Sequence, residues 1–220
     1  MGAIYNSYSA SDDIEYILMC NTYMDYIKEH VINVIKFYNE FFVNKNWTDK
    51  LPEWISKEDW EDAISKLYTE VQNHDKSKYS DEEFEPYRRH FDKTTAEELA
   101  DKSDENEALI VEEEYQKAWK HHYLINPHHP EFWAYTDIVD GTLIPLDKPR
   151  EKGPRDMDLL SILHMICDWG GMTIKFRNKY SPISWYNTEA KEERACMSEN
   201  TKKTLNAILA MLFPDEEIIE

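Results

Sequence analysis

Residues 11–42 read SDDIEYILMCNTYMDYIKEHVINVIKFYNEFF. Ser11 followed by Asp12 and Asp13 has the composition of a helix N-cap with an acidic first turn. Behind it Ile14, Ile17, Leu18, Tyr23, Met24, Ile27, Val31, Val34, Ile35 and Tyr38 recur at intervals of three and four. That is the spacing of one face of an α-helix, and it predicts a helix to about Phe42.

The same reading extends outward. After a loop from Asn44 to Pro52, Ser56 with Asp59 three residues on caps a second helix. Its stripe runs through Trp60, Ile64, Leu67 and Val71 to His74. Ser80-Asp81-Glu82-Glu83 reads as a capping box opening a third helix, with Phe84, Tyr87 and Phe91 on one side. Thr95 with Glu98 starts another, inside an acidic stretch. Between Lys93 and Glu114 nine acids face two lysines, the pattern of a solvated face. From Glu112 a helix carries Tyr115, Ala118, Trp119 and His122 and ends at Asn126-Pro127. Asp137 to Pro154 is a long loop, with a short β-ribbon at Ile138 to Ile144 around Asp140-Gly141. Asp156 caps a helix to about Met172, Tyr180 to Asn187 is a loop, and two last helices cover about 188–196 and 199–212. There is no βαβ alternation and no repeat, so the expected class is all-α, with residues 1–220 as a single domain.

Composition narrows the function. The 25 Lys and Arg stand against 44 Asp and Glu, a net charge of −19. Such a surface repels a phosphate backbone, so duplex nucleic acid is not an expected partner. A small phosphorylated molecule stays open, because a bound cation reverses the local field. Cys20, Cys167 and Cys196 are odd in number and lack CxxC spacing, which points to a reducing cytoplasm rather than a disulfide framework. Met1 to Ser11 has neither a basic residue nor an apolar run, so no signal peptide is expected there. No apolar stretch approaches the roughly 20 residues of a membrane span.

The chemistry-bearing residues cluster. Of eight histidines, His121, His122, His128 and His129 fall within nine residues. His74-Asp75 lies at the end of the second stripe, His30 deep in the first, and Asp168 in Ile166-Cys167-Asp168-Trp169 at the core-facing end of a helix. A buried carboxylate or imidazole needs a partner. For each residue alone, a hydrogen bond, or an ion pair to Arg177 or a lysine, would serve. Together, imidazole nitrogens and carboxylate oxygens suit Mn, Fe, Co, Ni or Zn. The four clustered histidines are expected to face the same cavity as His30 and Asp168, because metal ligation would keep the rings neutral and occupy their lone pairs.

In order, His30, His74-Asp75, the downstream histidines and Asp168 resemble the H…HD…D signature of the HD-domain superfamily of all-α, metal-dependent phosphohydrolases. The longer form H…HD…H…HH…D resembles the two-metal, cyclic-dinucleotide phosphodiesterase type. It maps as His30, His74, Asp75, one of His121 and His122, then His128-His129, then Asp168. Lys78 fits the HDxxK continuation. HDKSK at 74–78, AWKHHYLINPHHPEFW at 118–133 and ICDW at 166–169 look like an uncharacterised phage and bacterial family. The glycine-rich, tyrosine-containing signature of the cyclic-dinucleotide enzymes is absent, so their substrate does not carry over.

The resemblance covers about residues 14–175. It implies an HD-like helical bundle with a long acidic insertion and a C-terminal helical extension at about 188–213. It also implies one or two divalent transition-metal ions. His30, His74, Asp75 and Asp168 would hold the first, and His121, His122, His128 and His129 a second ion or a phosphate oxygen. Asp75, Lys78 and His122 are the expected catalytic residues. Lys78, Arg88, His128, His129 and Trp133 are the expected substrate contacts, with Arg89, Trp119 and Trp169 nearby candidates. The implied activity is hydrolysis of a small phosphorylated substrate, a nucleotide being the favoured case. Two alternatives stay open: an HD-type di-iron oxygenase, and a non-catalytic acidic module that binds a basic protein partner.

Overall fold

The computed structural model describes residues 10–91 and 105–219. The long apolar stripe forms helix α1, Ala10–Tyr38. Ser11, expected as its N-cap, already lies inside it, and the Thr95 helix start falls outside the described residues. The α-helix stops four residues before Phe42. A π-helical turn, Asn39–Val43, follows, and Asn44 N–H closes it on Asn39 O at 3.0 Å. The wider turn lets the adjacent Phe41 and Phe42 both face inward.

Helix α2, Lys57–Gln72, begins as expected: Ser56 caps it by accepting from Asp59 N–H at 3.0 Å. After a 3₁₀ turn at Lys76–Tyr79 come α3, Phe84–Phe91, and α4, Glu105–Ile125. The Ser80 capping box does not form. The helix starts at Phe84, and the Glu83 carboxylate points to His121 and His122 instead. Helix α5, Pro130–Tyr135, leads into strands β1, Thr136–Val139, and β2, Thr142–Pro145, which pair antiparallel. Asp140 (φ 49°) and Gly141 (φ 77°) make the hairpin turn, both in the left-handed region that such a two-residue turn requires.

Helix α6, Leu159–Arg177, is capped by Asp158, whose side chain accepts from Ser161 N–H. Asp156, expected in that role, takes hydrogen bonds from Ser198 and Asn200. The expected loop at 180–187 contains α7, Pro182–Thr188, where Pro182 occupies the first turn and its missing N–H costs nothing. Helices α8, Lys191–Ala195, and α9, Glu199–Leu212, complete the described chain. The protein is all-α apart from the one hairpin. No helix among the described residues is long and apolar enough to cross a membrane.

Helix α6 is central. Its Leu163, Ile166 and Cys167 are fully buried with Val34 and Phe37 of α1, Leu67 of α2, and Leu205, Ile208 and Leu209 of α9. Gly170 and Gly171 let α1 and α6 touch. A Cβ on Gly170 would enter the Phe37 ring, and one on Gly171 would sit 2.9 Å from the backbone N of Val34. That contact sets His30 of α1 against the α6 face that carries His164 and Asp168.

Candidate metal centre

His74 and Asp75 are neighbours, and on a continuous helix they would point about 100° apart. Helix α2 ends first, with Asn73 closing it, and Asp75 takes a left-handed conformation (φ 56°, ψ 20°). Asp and Asn are the residues other than Gly that tolerate this region best. The reversal brings Asp75 Oδ1 to 3.6 Å from His74 Nε2.

Around this pair the fold gathers donors from four further segments. His30 Nε2 of α1 lies 2.9 Å from His74 Nε2 and 3.0 Å from Asp168 Oδ1, which is 3.5 Å from His74 Nε2. Asp75 Oδ2 is 3.8 Å from His30 Nε2. Two ligand atoms at about 2.1 Å from one ion lie about 3.0 to 3.4 Å apart at octahedral to tetrahedral angles. The His30, His74 and Asp168 atoms are therefore spaced as edges of one coordination shell. A second set joins Asp75, His122, His128 and His129, and a third joins His74, His128 and His164. In each of these two, and in the first set of His30, His74 and Asp75, the donor atoms lie within 4.8 Å of one another. Asp75 belongs to the first two sets.

All these residues are buried except Asp168, which borders a cavity. His128 Nε2 and His129 Nε2 are buried with no hydrogen-bond partner among the described residues. Two orphaned imidazole nitrogens beside a carboxylate fit a metal ion, which would give their lone pairs a partner.

The electrostatics keep most of these rings neutral. Burial first, and neighbouring imidazoles second, hold His128 and His129 well below the usual range and His164 down to about 3. Burial also lowers His30, against the pull of Asp168. His122 is the exception: burial opposes its charge, but Asp75 and Glu83 outweigh it and raise its pKa. Burial disfavours the charged forms of Asp75 and Asp168 as well. Interactions with His74 and Lys78 for Asp75, and with His74 and His30 for Asp168, still hold both carboxyls well below their ordinary value.

These shifts set a pH dependence for the metal-free protein. Below pH 6.5, the ordinary histidine value, the unfolded chain takes up protons that folded His30, His128, His129 and His164 refuse. Their contribution to stability is complete above 6.5 and falls away as pH drops toward the folded values. His122 acts in the opposite sense, its contribution being present below 6.5 and lost above its raised pKa. The first four histidines outnumber His122 together with Glu193 and Glu131, whose raised carboxyls gain stability as pH falls, and predict a thermal midpoint that falls between pH 6.5 and 4. A flat profile by scanning calorimetry would contradict this.

The expected site residues divide clearly. Of the first pair, His122 turns inward, with Nε2 3.3 Å from Asp75 Oδ1. His121 does not join the cavity. It is partly exposed on the far side of Glu83, which it meets at 2.7 Å through Nδ1. The reason is helical: consecutive residues on α4 cannot share one face. His128 and His129, in the turn before α5, both join the donor cluster, and His129 also lines the cavity. Lys78 Nζ contacts Asp75 Oδ2 at 2.6 Å. Burial works against its ammonium, yet Asp75 raises its pKa. Arg88 lies elsewhere, buried and paired with Glu85 at 2.6 Å, while Arg89 pairs with Glu114. Trp133 packs in the core, donates to Pro127 O and stacks under Arg155. Trp119 packs along His122, and Trp169 lines the cavity.

Three participants escaped the sequence reading. His164 stands one turn before Asp168 on the same helix face, a spacing that could have revealed it. Glu83, fully buried, receives His122 Nδ1–H at 2.8 Å and so leaves Nε2 to face Asp75. This carboxylate–histidine pairing orients a ligand. Its sequence signal was masked by the apparent capping box. Glu83→Gln should therefore weaken metal binding about 10- to 100-fold. A competition titration with a chromophoric chelator checks this, and unchanged affinity would remove Glu83 from the site. The third participant, Glu193 of α8, lines the cavity, and no spacing rule links it to the others.

The cavity beside the cluster measures about 260 Å³. His30, Asp75, Lys78, His129 and Asp168 form its polar wall. Tyr23 and Tyr87 also line it, and their buried hydroxyls have no hydrogen-bond partner among the described residues. Burial raises both phenol pKa values, so the hydroxyls remain donors at neutral pH.

No curated protein and no solved structure matches the chain. A family model does match, over residues 19–211, a span that includes every donor above as well as the C-terminal helices. The protein accordingly belongs to DUF5662, a family of unknown function.

Proposed function

We propose that the protein is a metal-dependent phosphohydrolase acting on a small phosphorylated substrate. The observation that carries this reading is the pair of donor sets sharing Asp75, one with His30 and His74 and one with His122, His128 and His129. The mixed imidazole and carboxylate donors suit Mn, Fe, Co, Ni or Zn. A divalent ion in such a site lowers the pKa of a bound water from about 16 toward 7 and polarises a phosphoryl oxygen.

The chain's own groups do the rest. Lys78 and the free hydroxyls of Tyr23 and Tyr87 are placed to hold phosphoryl oxygens. His122, with its raised pKa and its Glu83 partner, is suited to hold and return a proton. Trp119 and Trp169 line the cavity and limit the water inside it. Its 260 Å³ lies below the roughly 300–1,000 Å³ of pockets for drug-sized ligands, which favours a compact phosphate ester over a nucleotide.

The test is phosphate release from a panel of small esters and nucleotides, with metal-free protein reconstituted with Mn, Co, Ni or Fe. Metal-dependent turnover that disappears in Asp75→Asn is the expected result. Absence of release with every metal, or undiminished release in the variant, would overturn the proposal. The same paired donor sets also suit a di-iron oxygenase. Oxygen uptake by the ferrous protein, without phosphate release, would select that reading.

A further inference from the structure

We infer that Glu193, with the indoles of Trp169 and Trp185, forms a subsite for a positively charged group, so that the substrate is a compact phosphate ester bearing an ammonium. This deepens the phosphohydrolase reading and rests on it for the phosphate end.

Glu193 comes from α8, Trp185 from α7 and Trp169 from α6, and all three line the cavity that the metal cluster borders. The Glu193 carboxylate has one hydrogen bond among the described residues, accepted from Trp169 Nε1–H at 2.9 Å. A carboxylate can accept about four, so most of its capacity is free. No lysine or arginine among the described residues pairs with it. The charges that act on it are those of Glu131 and Asp168, both acidic. Burial first, then these neighbours, push its carboxyl up to about 8. Glu193 is partly buried among acids, and a cation beside it would favour its ionised form.

The rest of the wall agrees. Lys78 is the one cationic lysine or arginine lining the cavity among the described residues, and Asp75 already neutralises it at 2.6 Å. Asp75 and Asp168 are engaged by the histidine cluster and would face the metal. Among the described residues that line the cavity, no cation is left to pair with Glu193 when it ionises. Tryptophan faces attract cations, and their desolvated setting strengthens the effect. A molecule with phosphate at one end and ammonium at the other satisfies both ends within 260 Å³.

O-phosphoethanolamine and ethyl phosphate share a skeleton and differ by the ammonium, so they isolate this subsite. Binding to the full chain can be followed by intrinsic tryptophan fluorescence, with and without added Mn, in wild type and Glu193→Gln. The amide keeps the size of the side chain and an acceptor for Trp169. Wild type should prefer phosphoethanolamine on the order of tenfold, and the variant should lose that preference while keeping its metal content. Equal affinities in wild type, or a preference retained in the variant, would overturn the inference. If the variant fails to fold, the wild-type comparison decides alone. The two proposals separate cleanly. An ammonium preference without phosphate release leaves the subsite standing and removes the phosphohydrolase. Hydrolysis of both esters with equal KM does the reverse.

Discussion

Asp75→Asn should strip the protein of metal while leaving its helices formed. Asp75 is common to two donor sets, with Oδ1 3.3 Å from His122 Nε2 and 3.6 Å from His74 Nε2. Removing its charge weakens both sets at once. It also leaves the Lys78 ammonium without its counter-ion at 2.6 Å, so a cation replaces an anion in the local field. Loss of residues that merely orient metal ligands costs about 10- to 100-fold in affinity, and loss of a shared ligand should exceed a hundredfold. Asn is the informative replacement because it accepts the left-handed backbone at φ 56°. Ala would add roughly 1–2 kcal/mol of backbone strain and confuse the two effects. Elemental analysis after dialysis, beside far-ultraviolet circular dichroism, reads the outcome. Full metal occupancy in the variant would refute the assignment.

Gly171→Ala should destabilise the fold although it improves helix propensity. Within an isolated helix the change would gain about 1 kcal/mol. Here the new Cβ would lie 2.7 Å from Val34 Cγ2 and 2.9 Å from Val34 N, well inside the roughly 3.5–4.0 Å of favourable contact. A flexible side-chain end could move aside, but the backbone of α1 cannot move without shifting the helix. Overpacking of this kind costs about 1–3 kcal/mol, which outweighs the propensity gain over most of that range. A net loss of 1 kcal/mol lowers the midpoint of a chain this size by about 2–4 °C. The site should suffer as well. His30 lies one turn before Val34 and Asp168 less than one turn before Gly171, so parting the helices lengthens their 3.0 Å contact. Thermal unfolding and metal affinity should both decline. A raised midpoint would show that the helices are not held this close.

Much of the architecture was legible because helices announce themselves locally. The stripe from Ile14 to Tyr38, the Ser56 cap and the Asp140-Gly141 turn each depend on residues within a few positions of one another. The errors arose where one local pattern served two ends. Ser80 to Glu83 satisfied the capping pattern, but the buried histidines outbid the helix terminus for the Glu83 carboxylate. Asp156 and Asp158 were equally good caps, and Ser198 and Asn200, some forty residues away, decided between them.

The site shows the same division. The sequence by itself determined an all-α chain and an inventory of donors, namely His30, His74, Asp75, the two downstream histidine pairs and Asp168, because residue chemistry and helical spacing are local properties. Tertiary structure decided which donors meet. It excluded His121, admitted His164, and made Glu83 a support for His122. The close approach of α1 and α6 at Gly170 and Gly171 set His30 against Asp168, and the left-handed turn at Asp75 aimed two adjacent side chains at one point. It also brought Glu193 from the C-terminal helices into the same cavity. The distances between donors are set by contacts between residues as far apart as His30 and Asp168, and no periodicity along the chain encodes such a distance.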